Sequence, residues 1–214
     1  MRHGHGDGDG SVHGPPIGAH DAIEQLSLGF GRLSRESRSP LWERADEYTS
    51  DDWYTPPDFV EWAEHVLGGI DCDPAWSPRS HVRPRVLGID GAVDDGLGHK
   101  LWPGNVFCNP PYSNPRPWVE RCCVRRANRT LLLLKFDPST KAWRSIWRHA
   151  DAVVTFASRI AFVREGSGDS AANFPSAAVY LGGLGQTPRE KFPSLLVQRL
   201  KSAPQCGVVL QPPW

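Results

Sequence analysis

The sequence predicts an α/β fold with a mostly parallel sheet and flanking helices. Three observations predict it. Two uninterrupted apolar runs, TLLLLK at 130–135 and AVVTF at 152–156, have strand length and read as strands buried on both faces. A segment of helical period lies between them, with Trp143, Ile146 and Trp147 on one side and Arg144 and Arg148 on the other. Two shorter runs upstream each stop at an Asp or Asn followed by proline, at Asp73-Pro74 and Asn109-Pro110. Strands alternating with helices in this way are the pattern of parallel strands joined by crossovers.

The chain's 214 residues suffice for one domain with a real core and a tail. Residues 1–47 are expected to be that tail and its linker. MRHGHGDGDGSVHGPPIGAH at the start is rich in Gly, His and Asp and buries too little apolar surface to offset chain entropy. The domain is placed at 48–214. Net charge is zero, yet residues 1–100 hold 9 Lys and Arg against 18 Asp and Glu, and residues 101–214 hold 15 against 6. The basic half suits a polyanionic partner. Five cysteines with no Cys-x-x-Cys pair argue for reduced thiols in a cytoplasm, with neither a disulfide frame nor a metal site. No apolar run approaches the roughly 18–20 residues of a membrane helix, and no export signal is expected.

Taken in order, the first informative stretch is Asp51-Asp52-Trp53-Tyr54-Thr55-Pro56-Pro57-Asp58. Thr55 reads as an N-cap and Pro56 as a first-turn residue. Phe59, Trp62, Ala63 and Val66 then fall on one helix face, and Gly68-Gly69 ends the helix. A helix start with free N–H groups and a hydroxyl suits a carboxylate. Next, Gly69-Ile70-Asp71-Cys72-Asp73-Pro74-Ala75 reads as a short strand ending in carboxylates. At the carboxyl end of a parallel strand these point into the ligand crevice of an open α/β sheet, where they suit an ammonium group. Residues 77–92 read as loop, with Arg79, Arg83 and Arg85 as possible phosphate contacts. An Asp94-Asp95-Gly96-Leu97 turn leads to the next strand.

That strand ends in Phe107-Cys108-Asn109-Pro110-Pro111-Tyr112-Ser113. Proline fixes its own backbone and holds the preceding residue extended. The Asn109 carboxamide and the Pro110 carbonyl then stand at a strand end, beside the Tyr112 ring. Two fixed oxygens can accept both hydrogens of one amino group, and a ring beside them can stack on a flat base.

Beyond it, a helix is expected from Arg116-Pro117-Trp118 to about Ala127, with Trp118 and Cys122 inward. Asp137-Pro138-Ser139-Thr140 reads as turn and cap. Arg159-Ile160-Ala161-Phe162-Val163 alternates like a half-exposed strand, and SAAVYL at 176–181 is a further strand. The two are expected to form a hairpin across a Gly/Ser-rich loop. A helix near 188–201 and a strand at 206–210 close the chain.

In this order, the Trp53-Tyr54-Thr55-Pro56-Pro57, Asp71-Cys72-Asp73-Pro74-Ala75, Asp95-Gly96-Leu97, Asn109-Pro110-Pro111-Tyr112 and Phe174-Pro175-Ser176-Ala177 motifs resemble the phage-type DNA N-6-adenine-methyltransferase family over about residues 48–182. The resemblance implies a Rossmann-like methyltransferase fold, S-adenosylmethionine as donor and an adenine of double-stranded DNA as acceptor. It implies catalytic roles for Asn109, Pro110, Pro111 and Tyr112, and cofactor roles for Trp53, Thr55, Pro56, Asp71, Asp73 and Asp95. One departure stands out: Trp76-Ser77-Pro78 replaces the Gly-x-Gly that commonly follows the first cofactor motif. The same catalytic motif serves enzymes acting on RNA or on a protein glutamine. A decayed, non-enzymatic DNA-binding protein is the other alternative.

Overall fold

The computed structural model describes residues 51, 53–90, 95–124, 129–163, 172–183 and 194–211. The chain divides into two units, Met1–Glu47 and Tyr48–Trp214. The first lies outside the described residues, and with it the reading of 1–47 as tail and linker.

The second unit is built on a seven-stranded sheet. Its elements run α1 (Pro57–Leu67), β1 (Cys72–Asp73), β2 (Leu87–Gly88), β3 (Val106–Cys108), α2 (Arg116–Val124), β4 (Thr130–Lys135), α3 (Lys141–His149), β5 (Ala152–Phe156), β6 (Ser176–Leu181), α4 (Ser194–Lys201) and β7 (Cys206–Leu210). The strand order is β2-β1-β3-β4-β6-β5-β7. Pairs β1–β2, β1–β3 and β3–β4 are parallel. β6 lies antiparallel between β4 and β5, and β7 antiparallel on β5. Five strands therefore point one way, as expected of a mostly parallel sheet, while half of the ladders are antiparallel. β6 is a central strand paired on both sides and forms no hairpin with 159–163. Arg159 and Ala161 do face out and Ile160 and Phe162 in, but among the described residues the segment's one β-bridge joins Val163 to Tyr54.

β4 shows why its sequence is continuously apolar. Thr130 through Leu134 are buried and only Lys135 emerges. Two helix pairs pack on the sheet, α1 with α4 and α2 with α3, and both reach β4. Each buried leucine contributes about 1.5–3 kcal/mol. α1 buries Phe59, Val60, Trp62, Ala63, Val66 and Leu67, and Trp62 Nε1 donates to Arg199 O at 2.9 Å. It ends at Gly68, whose φ of 78° is the left-handed cap that glycine adopts without strain. Its N-cap is Pro56, one residue later than the sequence suggests, because the Thr55 hydroxyl is engaged elsewhere. α3 is capped as expected by Thr140, whose side chain accepts from Trp143 N.

The chain leaves β1 for β2 on one side and returns to β3 on the other. That reversal makes the carboxyl ends of β1 and β3 a topological switch point, the place where open α/β sheets bind ligands. β2 falls within the stretch 77–92 that the sequence reads as loop, because its two residues carry no pattern of their own.

Candidate active site

Asn109 follows the last residue of β3. Its Nδ2 donates to the Trp53 carbonyl at 2.7 Å and to Thr55 Oγ1 at 3.3 Å. A carbonyl can only accept, so the nitrogen end of the amide must face it. The oxygen end is thereby turned the other way. Oδ1 is buried and has no hydrogen-bond partner among the described residues. A buried carbonyl oxygen left unpaired costs about 1–3 kcal/mol, so it is an acceptor ready for any donor that enters the site.

The segment before α1 straps this motif down. Asp51 Oδ1 accepts from Ser113 N at 2.8 Å and Oδ2 from Ser113 Oγ at 2.6 Å. Trp53 O holds Asn109, and Tyr54 exchanges two backbone bonds with Val163, at 3.1 and 2.9 Å. Thr55, 2% exposed, acts on Asn109 and gives its carbonyl to His81 Nδ1 at 3.1 Å. The anion-binding helix start expected of Thr55 and Pro56 is weakened for a physical reason. Pro56 and Pro57 lack N–H groups, and Phe59 N is taken by the Asp58 carboxylate at 2.9 Å.

Around the same point stand four aromatic rings. Tyr112 meets Phe162 and Phe174 edge-on at centroid distances of 6.0 and 5.2 Å, and Trp53 meets the same two at 6.0 and 5.6 Å. Tyr112 is buried and its hydroxyl is unpartnered; burial, with the Cys108 thiol beside it, pushes the phenol pKa well above the ordinary value. The sequence marked Phe162 and Phe174 only as parts of motifs. Their convergence on Tyr112 needs the β6 placement, which sequence patterning does not give.

On the β1 side the structure separates the two aspartates. Asp71 precedes the strand, at the end away from the crevice. Its Oδ1 pairs with Arg85 at 2.7 Å and its Oδ2 accepts from Asn105 N at 2.9 Å. Both oxygens are occupied, so the cofactor role expected of Asp71 gives way to a structural one, and Arg85 is spent on it. Asp73, at the carboxyl end, is 3% exposed and accepts one hydrogen bond, from Ala75 N at 3.0 Å. Burial raises its pKa from 3.8 to about 7, the Ala75 bond opposing. A buried carboxyl this poorly satisfied suits a cationic ligand.

Asp95 lies on a turn pressed against the same end of β1. A Cβ at Gly96 would stand 2.0 Å from the Pro74 carbonyl oxygen, so only glycine permits the approach. Trp102 Nε1 donates to Gly96 O at 3.0 Å, Trp102 stacks on Trp118, and Arg121 lies over Trp102 while donating to the carbonyls of Leu97 and His99. The Asp95 carboxylate is exposed and caps its own turn through Leu97 N at 2.9 Å. Asp94 lies outside the described residues. Asp90, two residues past β2, is a further carboxylate beside this crevice that the loop reading of 77–92 passed over.

Cys108 and Cys72 adjoin Asn109 and Asp73, yet burial drives both thiols up, Cys72 to about 12 and Cys108 well above its usual value. Thiols held protonated are poor nucleophiles. Among the described residues no group of three or more His, Cys, Asp or Glu is placed to hold a metal, and no helix is long and apolar enough to cross a membrane.

A switch-point crevice with a buried carboxyl at β1 and an Asn-Pro-Pro-Tyr loop at β3 defines a Rossmann-like amino-methyltransferase. The family model described as DNA N-6-adenine-methyltransferase (Dam) matches residues 44–199, and the chain belongs to that family. It is accordingly a DNA adenine-N6 methyltransferase, and membership implies dependence on S-adenosylmethionine and a DNA acceptor. A search of curated proteins finds no match to the chain.

Proposed function

We propose that Asn109 Oδ1 and the Pro110 carbonyl accept the two hydrogens of the N6 amine of an adenine flipped out of double-stranded DNA. The observation that carries this reading is the orphaned, buried Oδ1 of an amide whose nitrogen end is anchored. The amine lone pair of adenine is delocalised into the ring. Two acceptors beneath its N–H groups favour a pyramidal nitrogen with a localised lone pair, and they fix its direction. S-adenosylmethionine supplies, when bound, a methyl group made electrophilic by its sulfonium. Asn109 thus acts by position and electrostatics. Thr55 and Trp53 act through Asn109 as positioning residues, and Pro111 stiffens the loop.

Asp73 fits the cofactor's ammonium, since a buried carboxyl with one hydrogen bond gains most from a cation. Asp95 is assigned to the adenine amine of the cofactor and Asp90 to its ribose hydroxyls, the partner that a carboxylate past the second strand commonly takes. Flipping costs a few kcal/mol, and stacking of the base in the aromatic box offsets it by roughly 1–3 kcal/mol. The test is single-turnover transfer of labelled methyl to unmethylated duplex DNA by the protein and by Asn109→Ala. The variant is expected to lose on the order of a hundredfold in rate while binding cofactor normally. A rate within a few-fold of the unaltered protein refutes the assignment.

A further inference from the structure

β4 is apolar until its last residue, and that residue is a lysine placed at the crevice. Lys135 is exposed, while the five residues before it are buried. Its backbone is fixed twice: Trp143 Nε1 donates to its carbonyl at 2.8 Å, and it pairs with Ser176 across the β4–β6 ladder. Only the side chain is free to move. Its Nζ rests 4.5 Å from the Phe174 ring centroid and 5.6 Å from that of Tyr112. Among the described residues no carboxylate pairs with it. Asp137, the nearest in sequence, accepts the Ser139 hydroxyl at 2.7 Å. Beside Lys135 on the ladder, Ser176 is 4% exposed and its hydroxyl has no partner.

An ammonium lying on two ring faces covers surface that a flat base would use. A cation–π contact at an exposed site is weak and easily exchanged. An entering nucleotide brings both a competing ring and a negative charge. We propose that Lys135 is a phosphate contact for the flipped nucleotide: it rests on Phe174 and Tyr112 until the base takes its place there, then pairs with the phosphodiester next to that base. This rests on the reading that Asn109 receives the flipped adenine. The ligand class is a phosphodiester, and the lysine meets it as a point charge on a flexible stem.

The experiment compares Lys135→Met, which keeps the stem, with Lys135→Arg, which keeps the charge. A short unmethylated duplex is bound to each across a salt series, and methyl transfer is followed in parallel. Lys135→Met is expected to lose about tenfold in DNA affinity at low salt, with a slope of log K against log salt shallower by roughly 0.9. Cofactor affinity and melting temperature should stay unchanged, and Lys135→Arg should restore the slope. Unaltered affinity and slope in Lys135→Met overturn the proposal, as does an equal loss in Lys135→Arg. Methyl transfer that the unaltered protein performs and Asn109→Ala largely loses keeps the Asn109 reading standing in either case, and transfer undiminished in Asn109→Ala overturns both.

Discussion

Lowering the pH from 7.5 to 5 is expected to strip the protein of its cofactor, through Asp73. In the folded protein this carboxyl holds its proton up to about pH 7, against 3.8 for an ordinary aspartate. A cation bound beside it requires the ionised form and draws the pKa back down. If the ordinary value is restored, the span is about three pH units, a ceiling of ~4 kcal/mol at 1.36 kcal/mol per unit. Affinity should therefore fall about tenfold per pH unit below 7. Above about pH 8 an amino-acid ammonium itself loses its proton, so affinity should peak between about pH 7 and 8. Without cofactor the same carboxyl acts on stability in the opposite sense. Between about pH 4 and 7 the folded form keeps a proton that the unfolded chain has lost, so raising the pH through that window lowers stability, with no further loss above it. Calorimetry in two buffers of different ionisation heat reads the first effect: about 0.9 proton released per cofactor at pH 6, from the fraction still protonated one unit below the pKa. Asp73→Asn should remove the pH dependence below 7, bind weakly throughout, and melt higher than the unaltered protein at pH 8. Cofactor affinity that stays constant from pH 5 to 7.5 would refute the reasoning.

Thr55→Val keeps the shape of the residue and removes one of the two acceptors of Asn109 Nδ2; turnover should drop about tenfold with cofactor affinity intact, and calorimetric loss of affinity would return Thr55 to the cofactor side. Gly96→Ala sets a methyl group against the Pro74 carbonyl, so the Asp95 turn must move; a melting point lowered by several degrees and weakened cofactor binding are expected, and a silent substitution would contradict the packing. Ser176→Ala removes a buried hydroxyl without a partner, so thermal stability should hold or rise, and any fall in methyl transfer would then report a contact to the base.

The sequence made the strand ends legible because proline and an acid or amide after an apolar run have a local cause. Asn109, Asp73 and the helix stop at Gly68 lie where such signals place them. The roles of Asp71 and Thr55 were less legible. Asp71 and Asp73 are indistinguishable in a string, and only the strand's direction and the position of Arg85 separate them. Thr55 makes a good cap by type, but its partner is 54 residues away in sequence. The aromatic box and Lys135 depend on β6 inserting antiparallel beside β4, a long-range pairing that no local period encodes. The missing Gly-x-Gly has a structural counterpart: Trp76 occupies that stretch, its Nε1 donating to Val82 O at 3.1 Å, and its ring fills the space a Cβ at Gly88 would need.

The central claim is that an anchored Asn109 presents a free oxygen to the target amine. Its most direct measurement is single-turnover methyl transfer to duplex DNA by Asn109→Asp, beside the unaltered protein and Asn109→Ala. Aspartate keeps an oxygen toward the base but sets a second oxygen against the Trp53 carbonyl, which cannot donate to it. The account predicts that N6-methyladenine forms with the unaltered protein, that Asn109→Asp retains more activity than Asn109→Ala, and that both bind cofactor. Transfer undiminished in Asn109→Ala would contradict it.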